Sequence, residues 1–161
     1  MAIDTNKITT RLLQAFEDVL KELAPLMKKN ILKAFDNEHG YNEDGGKVSW
    51  PELSPEYVRR KPPRGRGGSS HPILRVEGDL RKGIDVIAKG LSIDANVFSN
   101  KMKARGKGTI SVNEISKILR IERPHTNPSS KFMPGGVEVF RILEKHFSIA
   151  IDEMIQQGIW N

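Results

Sequence analysis

Residues 84–97 read IDVIAKGLSIDANV, and the fold class turns on this stretch. Ile84, Val86 and Ala88 alternate with other residues up to Lys89 and Gly90, and Leu91, Ile93, Ala95 and Val97 alternate after them. A repeat of two is the spacing of a strand with one buried face, and a glycine between two such runs marks a tight turn, so the stretch predicts a β-hairpin. On either side the repeat lengthens. From Ile8 the residues Leu12, Phe16, Leu20, Leu23, Met27, Ile31 and Phe35 recur every three or four positions, flanked by Val19 and Leu26, which predicts a long amphipathic helix. Pro25 lies inside that stripe without breaking its phase, so a kinked helix is expected rather than two helices. After Pro134, Gly135 and Gly136, the residues Val137, Phe140, Leu143, Phe147, Ile151 and Met154 or Ile155 trace one face of a second long helix. The expected class is therefore α+β, a small hairpin-based antiparallel sheet packed against long N-terminal and C-terminal helices.

Shorter signals fill the interval between these elements. Ser54, Pro55 and Glu56 provide a capping side chain, a preset first turn and an acid at the positive end of a helix, so a short helix is expected through Tyr57. Ser111 with Glu114 forms a capping-box pattern ahead of Val112, Ile115, Ile118 and Leu119, predicting another helix that ends before Pro124. Residues 61–72, KPPRGRGGSSHP, hold too little apolar surface to offset their ordering entropy and are expected to be a flexible basic loop. Residues 99–109 are expected to be a second basic loop, and the stretch DNEHGYNEDGG a turn-rich linker.

The chain has 161 residues, so one α+β domain over residues 1–161 is the default. It has no cysteine, which removes disulfides, thiolate metal sites and cysteine nucleophiles from consideration. No apolar run approaches the length of a membrane span, and the N-terminus lacks the pattern of a secretory signal; synthesis in a cytoplasm and no membrane partner are expected. The net charge is +6, but Arg59, Arg60, Lys61, Arg64 and Arg66 contribute five positive charges and Lys101, Lys103, Arg105 and Lys107 contribute four, which leaves −3 for the rest. Basicity is thus concentrated in two segments and does not cover the whole surface.

Catalytic chemistry finds little support. His39, His71, His125 and His146 are scattered, and none has a nucleophile or carboxylate partner by spacing. Asp36, Glu38 and His39 with Glu43 and Asp44 form the one acidic cluster near a histidine, yet they lack the alternation of oxygen ligands seen in a calcium loop. Neither a phosphate loop nor a nucleophile elbow nor a dinucleotide fingerprint occurs. No catalytic residue, metal or cofactor is expected. A rival reading is a DNA-binding protein using a helix-turn-helix-like segment at residues 111–132, or the two basic segments on the phosphate backbone. Pro124 and Pro128 count against it, because both would fall inside the recognition helix, where a proline costs about 3 kcal/mol or more.

The strongest signal lies in KVSWPELSPEYVRRK followed by ILRVEGDLRKGI. Trp50, Pro51, Leu53 and Ser54 anchor and start the short helix, while Leu74 and Leu80 are grouped around Gly78, which permits a sharp change of direction. In the order of its parts the sequence resembles the phage virion morphogenesis or tail completion proteins, relatives of head-tail joining proteins. The matching parts are ILKAF ending at Phe35, an acidic turn through Gly45 and Gly46, Trp50 to Ser54, the basic segment Arg59 to Arg66, Ile73 to Leu80, the hairpin, and the helix from Val137 to Ile155. They cover residues 28–157. The resemblance implies a structural virion protein, located in the tail or neck, that catalyses no reaction and assembles as a ring of six copies. It further implies neighbouring neck and tail proteins as partners and non-specific contact with passing DNA. On this reading the basic segments order on meeting neighbouring subunits, where their arginines pair with carboxylates.

Overall fold

The computed structural model describes residues 4–41, 46–50, 55–56, 79–97, 102–105, 108–111 and 132–159. In chain order the described elements are α1 (Thr5–Asp36), β1 (His39–Tyr41), β2 (Lys47–Ser49), α2 (Asp79–Gly83), β3 (Ile84–Lys89), β4 (Ser92–Val97), β5 (Met102–Arg105), β6 (Gly108–Ser111) and α3 (Gly136–Gln156). The strands form three separate two-stranded sheets, β1–β2, β3–β4 and β5–β6. The chain divides into two compact units, one of Met1–Lys28, Val86–Asp94 and Met133–Asn161, the other of Lys29–Asp85 and Ala95–Phe132. Both α1 and the β3–β4 hairpin contribute residues to each unit.

In the first unit, Val19, Leu20 and Leu23 of α1 are buried with Ile142 of α3, and Leu26, Ala88, Ile93, Met133, Val139, Leu143 and Phe147 pack around them. Ala88 comes from β3 and Ile93 from β4, so the central hairpin and both long helices share one core. The fold class is α+β, with the hairpin packed against the N-terminal and C-terminal helices as its alternation implies. Gly90 takes φ +53° as the first of the two turn residues, a conformation that glycine adopts without steric cost.

Local contacts explain where the helices begin and end. Asp4 caps α1 by accepting a hydrogen bond from the Lys7 backbone at 3.2 Å. Pro25 is exposed and α1 runs through it unbroken, so the Lys21 carbonyl that loses its intrahelical donor faces the solvent side. The helix stops where Glu38 adopts φ +52° and its backbone donates to the Phe35 carbonyl. A left-handed non-glycine residue is unfavourable by about 1–2 kcal/mol; here the Trp50 backbone N–H donates to the Glu38 carbonyl at 2.8 Å and ties that turn to the residue after β2. At the end of α3, Gly158 (φ +65°) donates to the Ile155 carbonyl and Ile159 to that of Met154, the pairing of a Schellman cap.

In the second unit, Ile84 is buried against Ile31, Leu32 and Phe35. Trp50 and Phe132 are buried as well, and the Asn30 side-chain amide donates to the Phe132 carbonyl at 3.0 Å.

Three expectations require correction. The stretch DNEHGYNEDGG is not simply a linker, because β1 and β2 pair across it with His39 opposite Ser49 and Tyr41 opposite Lys47. The segment expected as a second basic loop carries an antiparallel hairpin in which Met102 faces Ser111 and Arg105 faces Gly108. Met102 and Ala104 alternate there with Lys103 and Arg105, a strand repeat that the density of positive charge concealed. Thirdly, the inward faces of the long helices are rotated from the expected stripes. Ala15, Val19, Ala24 and Ala34 join the buried side of α1 while Phe16 is exposed, and α3 buries Ile142, Ala150 and Met154 while leaving Val137, Phe140 and Ile151 outside.

Pro55 and Glu56 are helical, in keeping with a helix start at that point. The rest of the expected short helix, the expected basic loop 61–72 and residues 112–131 lie outside the described residues.

Candidate functional site

Trp50 meets Phe35 at the C-terminal end of α1. The Phe35 and Trp50 rings meet edge to face, with centroids 5.2 Å apart and an interplanar angle of 87°. This geometry places the positive edge of one ring on the negative face of the other, worth about 0.5–1.5 kcal/mol beyond the area buried. Trp50 is 7% exposed. Its indole Nε1 is buried without a hydrogen-bond partner among the described residues. In the same unit His39 is buried, and burial first, then the charges of Lys47 and Lys33, hold its imidazole below the ordinary value. His39 is a buried residue of β1 opposite Ser49.

In the acidic cluster Asp36 is held by an arginine. Both carboxylate oxygens of Asp36 accept from Arg81 of α2, at 2.7 Å from Nε and 2.6 Å from a terminal nitrogen. A bidentate guanidinium occupies the oxygens a cation would need. No group of three metal-ligating side chains occurs among the described residues, and Glu43 and Asp44 lie outside them. In the first unit, Glu22 of α1 accepts from Lys145 at 2.7 Å and lies 2.8 Å from Nε2 of His146, both on α3. Arg11 donates to Glu153 at 2.7 Å. These ion pairs cross-link α1 and α3 within the same unit, and the spacing of His146 along the sequence offered no hint of Glu22 because 124 positions separate the two.

Leu80 lies in α2, and Lys103 and Arg105 lie on β5. Pro51, Leu53, Ser54, Leu74, Gly78, Arg59, Arg60, Lys61, Arg64, Arg66, Lys101 and Lys107 fall outside the described residues. Among the described residues the structure joins Phe35 to Trp50.

The feature that periodicity misassigned is the outer face of α3. Val137 is 89% exposed, Phe140 73%, Ile155 50% and Ile151 38%. At 100° per residue these four, with Glu144, lie within about 60° of one another around the helix and form a ridge about 27 Å long. Single exposed apolar residues are ordinary, but an aligned set on one element marks a contact surface.

No helix among the described residues is long and apolar enough to cross a membrane. Comparison with protein-family models, curated proteins and solved structures finds no match to this chain.

Proposed function

We propose that this chain is a structural virion-assembly protein of a tailed bacteriophage, a tail-completion or head-tail joining component of the neck that acts by ring oligomerisation and catalyses no reaction. The observation that carries the reading is the apolar outer ridge of α3, where Val137 and Phe140 are 89% and 73% exposed while Ile142 beside them is 2% exposed. A helix apolar on both sides has one face more than its own unit buries, and a further subunit is the usual cover for such a face. The order of sequence landmarks from Phe35 through Trp50 and Gly78 to the C-terminal helix supports the same reading. A ring needs two different complementary patches on each subunit, because a head-to-tail contact closes only when the patches are distinct.

Sedimentation and negative-stain imaging across a concentration series test this directly. Rings that appear as concentration rises are the expected result, and a single species of monomer mass at every concentration refutes the assembly role. Removal of residues 62–71 is expected to leave the chain folded and to block joining to the next ring; joining at the wild-type level would show that the basic loop has no part in it.

A further inference from the structure

We propose that two copies of this chain pair about a two-fold axis through antiparallel contact of their α3 outer faces. The pairing goes beyond the ring reading, since a two-fold contact closes at two copies and leaves the head-to-tail patches of a ring to other surfaces. The charges of the face supply the first argument. Among the described residues the ion pairs of α3 use Lys145, His146 and Glu153, all with partners on α1. Arg141 and Asp152 are exposed and take no part in them. At 100° per residue these two lie within about 20° of each other around the helix, on one flank of the ridge, and about 16 Å apart along it. A flank that is basic toward one end and acidic toward the other is complementary to its own reverse. With the axis level with their midpoint, Arg141 of each copy meets Asp152 of the other.

The same register seats the apolar residues. It sets Phe140 midway between the levels of Ile151 and Ile155 of the second copy, so the ring enters the gap between two side chains one helical turn apart. Val137 then falls beside Ile155 of the second copy. Glu144 stands on the ridge between Phe140 and Ile151, and the exposed Ser148 of the second copy comes within about 1.5 Å of its level, where the hydroxyl can donate to the carboxylate. Parallel pairing would instead set Arg141 against Arg141, Glu144 against Glu144 and Asp152 against Asp152, so the charges of the face select the antiparallel arrangement. One helix from each copy covers less than the about 1,200–2,000 Å² of a tight interface, and the pair is therefore expected to be weak and to form as concentration rises.

Sedimentation equilibrium on full-length variants tests the register. Arg141→Asp and Asp152→Arg each place like charges at both contacts, and each variant alone is expected to raise the dimer dissociation constant at least about tenfold. In their equimolar mixture the heterodimer has opposite charges at both contacts again, so association close to that of wild type is expected. Phe140→Ser removes the ring without adding a charge and is expected to weaken the pair to a similar extent. Far-UV circular dichroism and thermal melting confirm that each variant is folded; should a charge reversal melt early, Phe140→Ser carries the test.

Undiminished association of any folded variant alone overturns the pairing, as does a mixture that associates no better than its components. Rings that Phe140→Ser forms as readily as wild type overturn the pairing and leave the ring reading standing. Dimers that the charge reversals break and the mixture restores, with no larger species at any concentration, support the pairing and overturn the ring reading. A wild-type chain that never associates overturns both.

Discussion

At Glu22 a single carboxylate meets Lys145 and His146, and the consequence is a pH dependence with a definite sign. Hydrogen bonds from Lys145 and then His146 hold its carboxyl below the ordinary value of 4.5, against the opposing effect of burial. A carboxyl whose native pKa is depressed contributes stability that is present above the unfolded value and is lost as pH falls through the native one. Glu22→Gln is therefore expected to flatten the fall in unfolding free energy below about pH 4.5, measured by urea denaturation at successive pH values. His39 acts in a different window. Its native pKa lies below the usual 6.5, so the unfolded chain takes up the proton first and stability falls as pH drops from about 6.5 toward the native value. His39→Gln should remove that upper segment and leave the Glu22 segment in place. Acid loss confined to a single window, or unchanged by both substitutions, contradicts these assignments.

Turns and helix ends decide the behaviour of the elements. Gly90 has open space around its missing side chain, so the effect of Gly90→Ala reduces to the backbone strain of φ +53°, a loss of about 1 kcal/mol. Gly136 also has nothing within 4 Å of an added Cβ, but it is the first residue of α3 with no positive φ, so Gly136→Ala is expected to stabilise by about 0.4–1 kcal/mol through the unfolded state. Opposite signs for two glycine-to-alanine changes, read from thermal melts, check the two backbone geometries together. Elements of this kind were largely legible. The alternation around Gly90 and the breakers before α3 were plain, whereas β1–β2 were hidden because three-residue strands are too short to establish a repeat and β5 because its four-residue alternation is masked by positive charge.

At the scale of the whole molecule, the two faces of α3 have different tasks. Ile142 is 2% exposed in the core with Val19, Leu20 and Leu23, so Ile142→Ala is expected to cost about 2–4 kcal/mol of unfolding free energy. Phe140→Ser at 73% exposure should change stability by about 0.5 kcal/mol or less and act on association instead. Equal stability losses at both positions would mean that the outer ridge is packed within the chain. The sequence by itself determined the existence and order of the long helices and the central hairpin, because hydrophobic period is a local property of the backbone. It also singled out Phe35 and Trp50 as landmarks. Only the tertiary structure decided that these two rings meet, that Asp36 belongs to Arg81 and Glu22 to His146, and which side of α3 faces inward. Those pairings join residues far apart along the chain, and a helix apolar on two sides has no internal signal for which side its neighbours will cover.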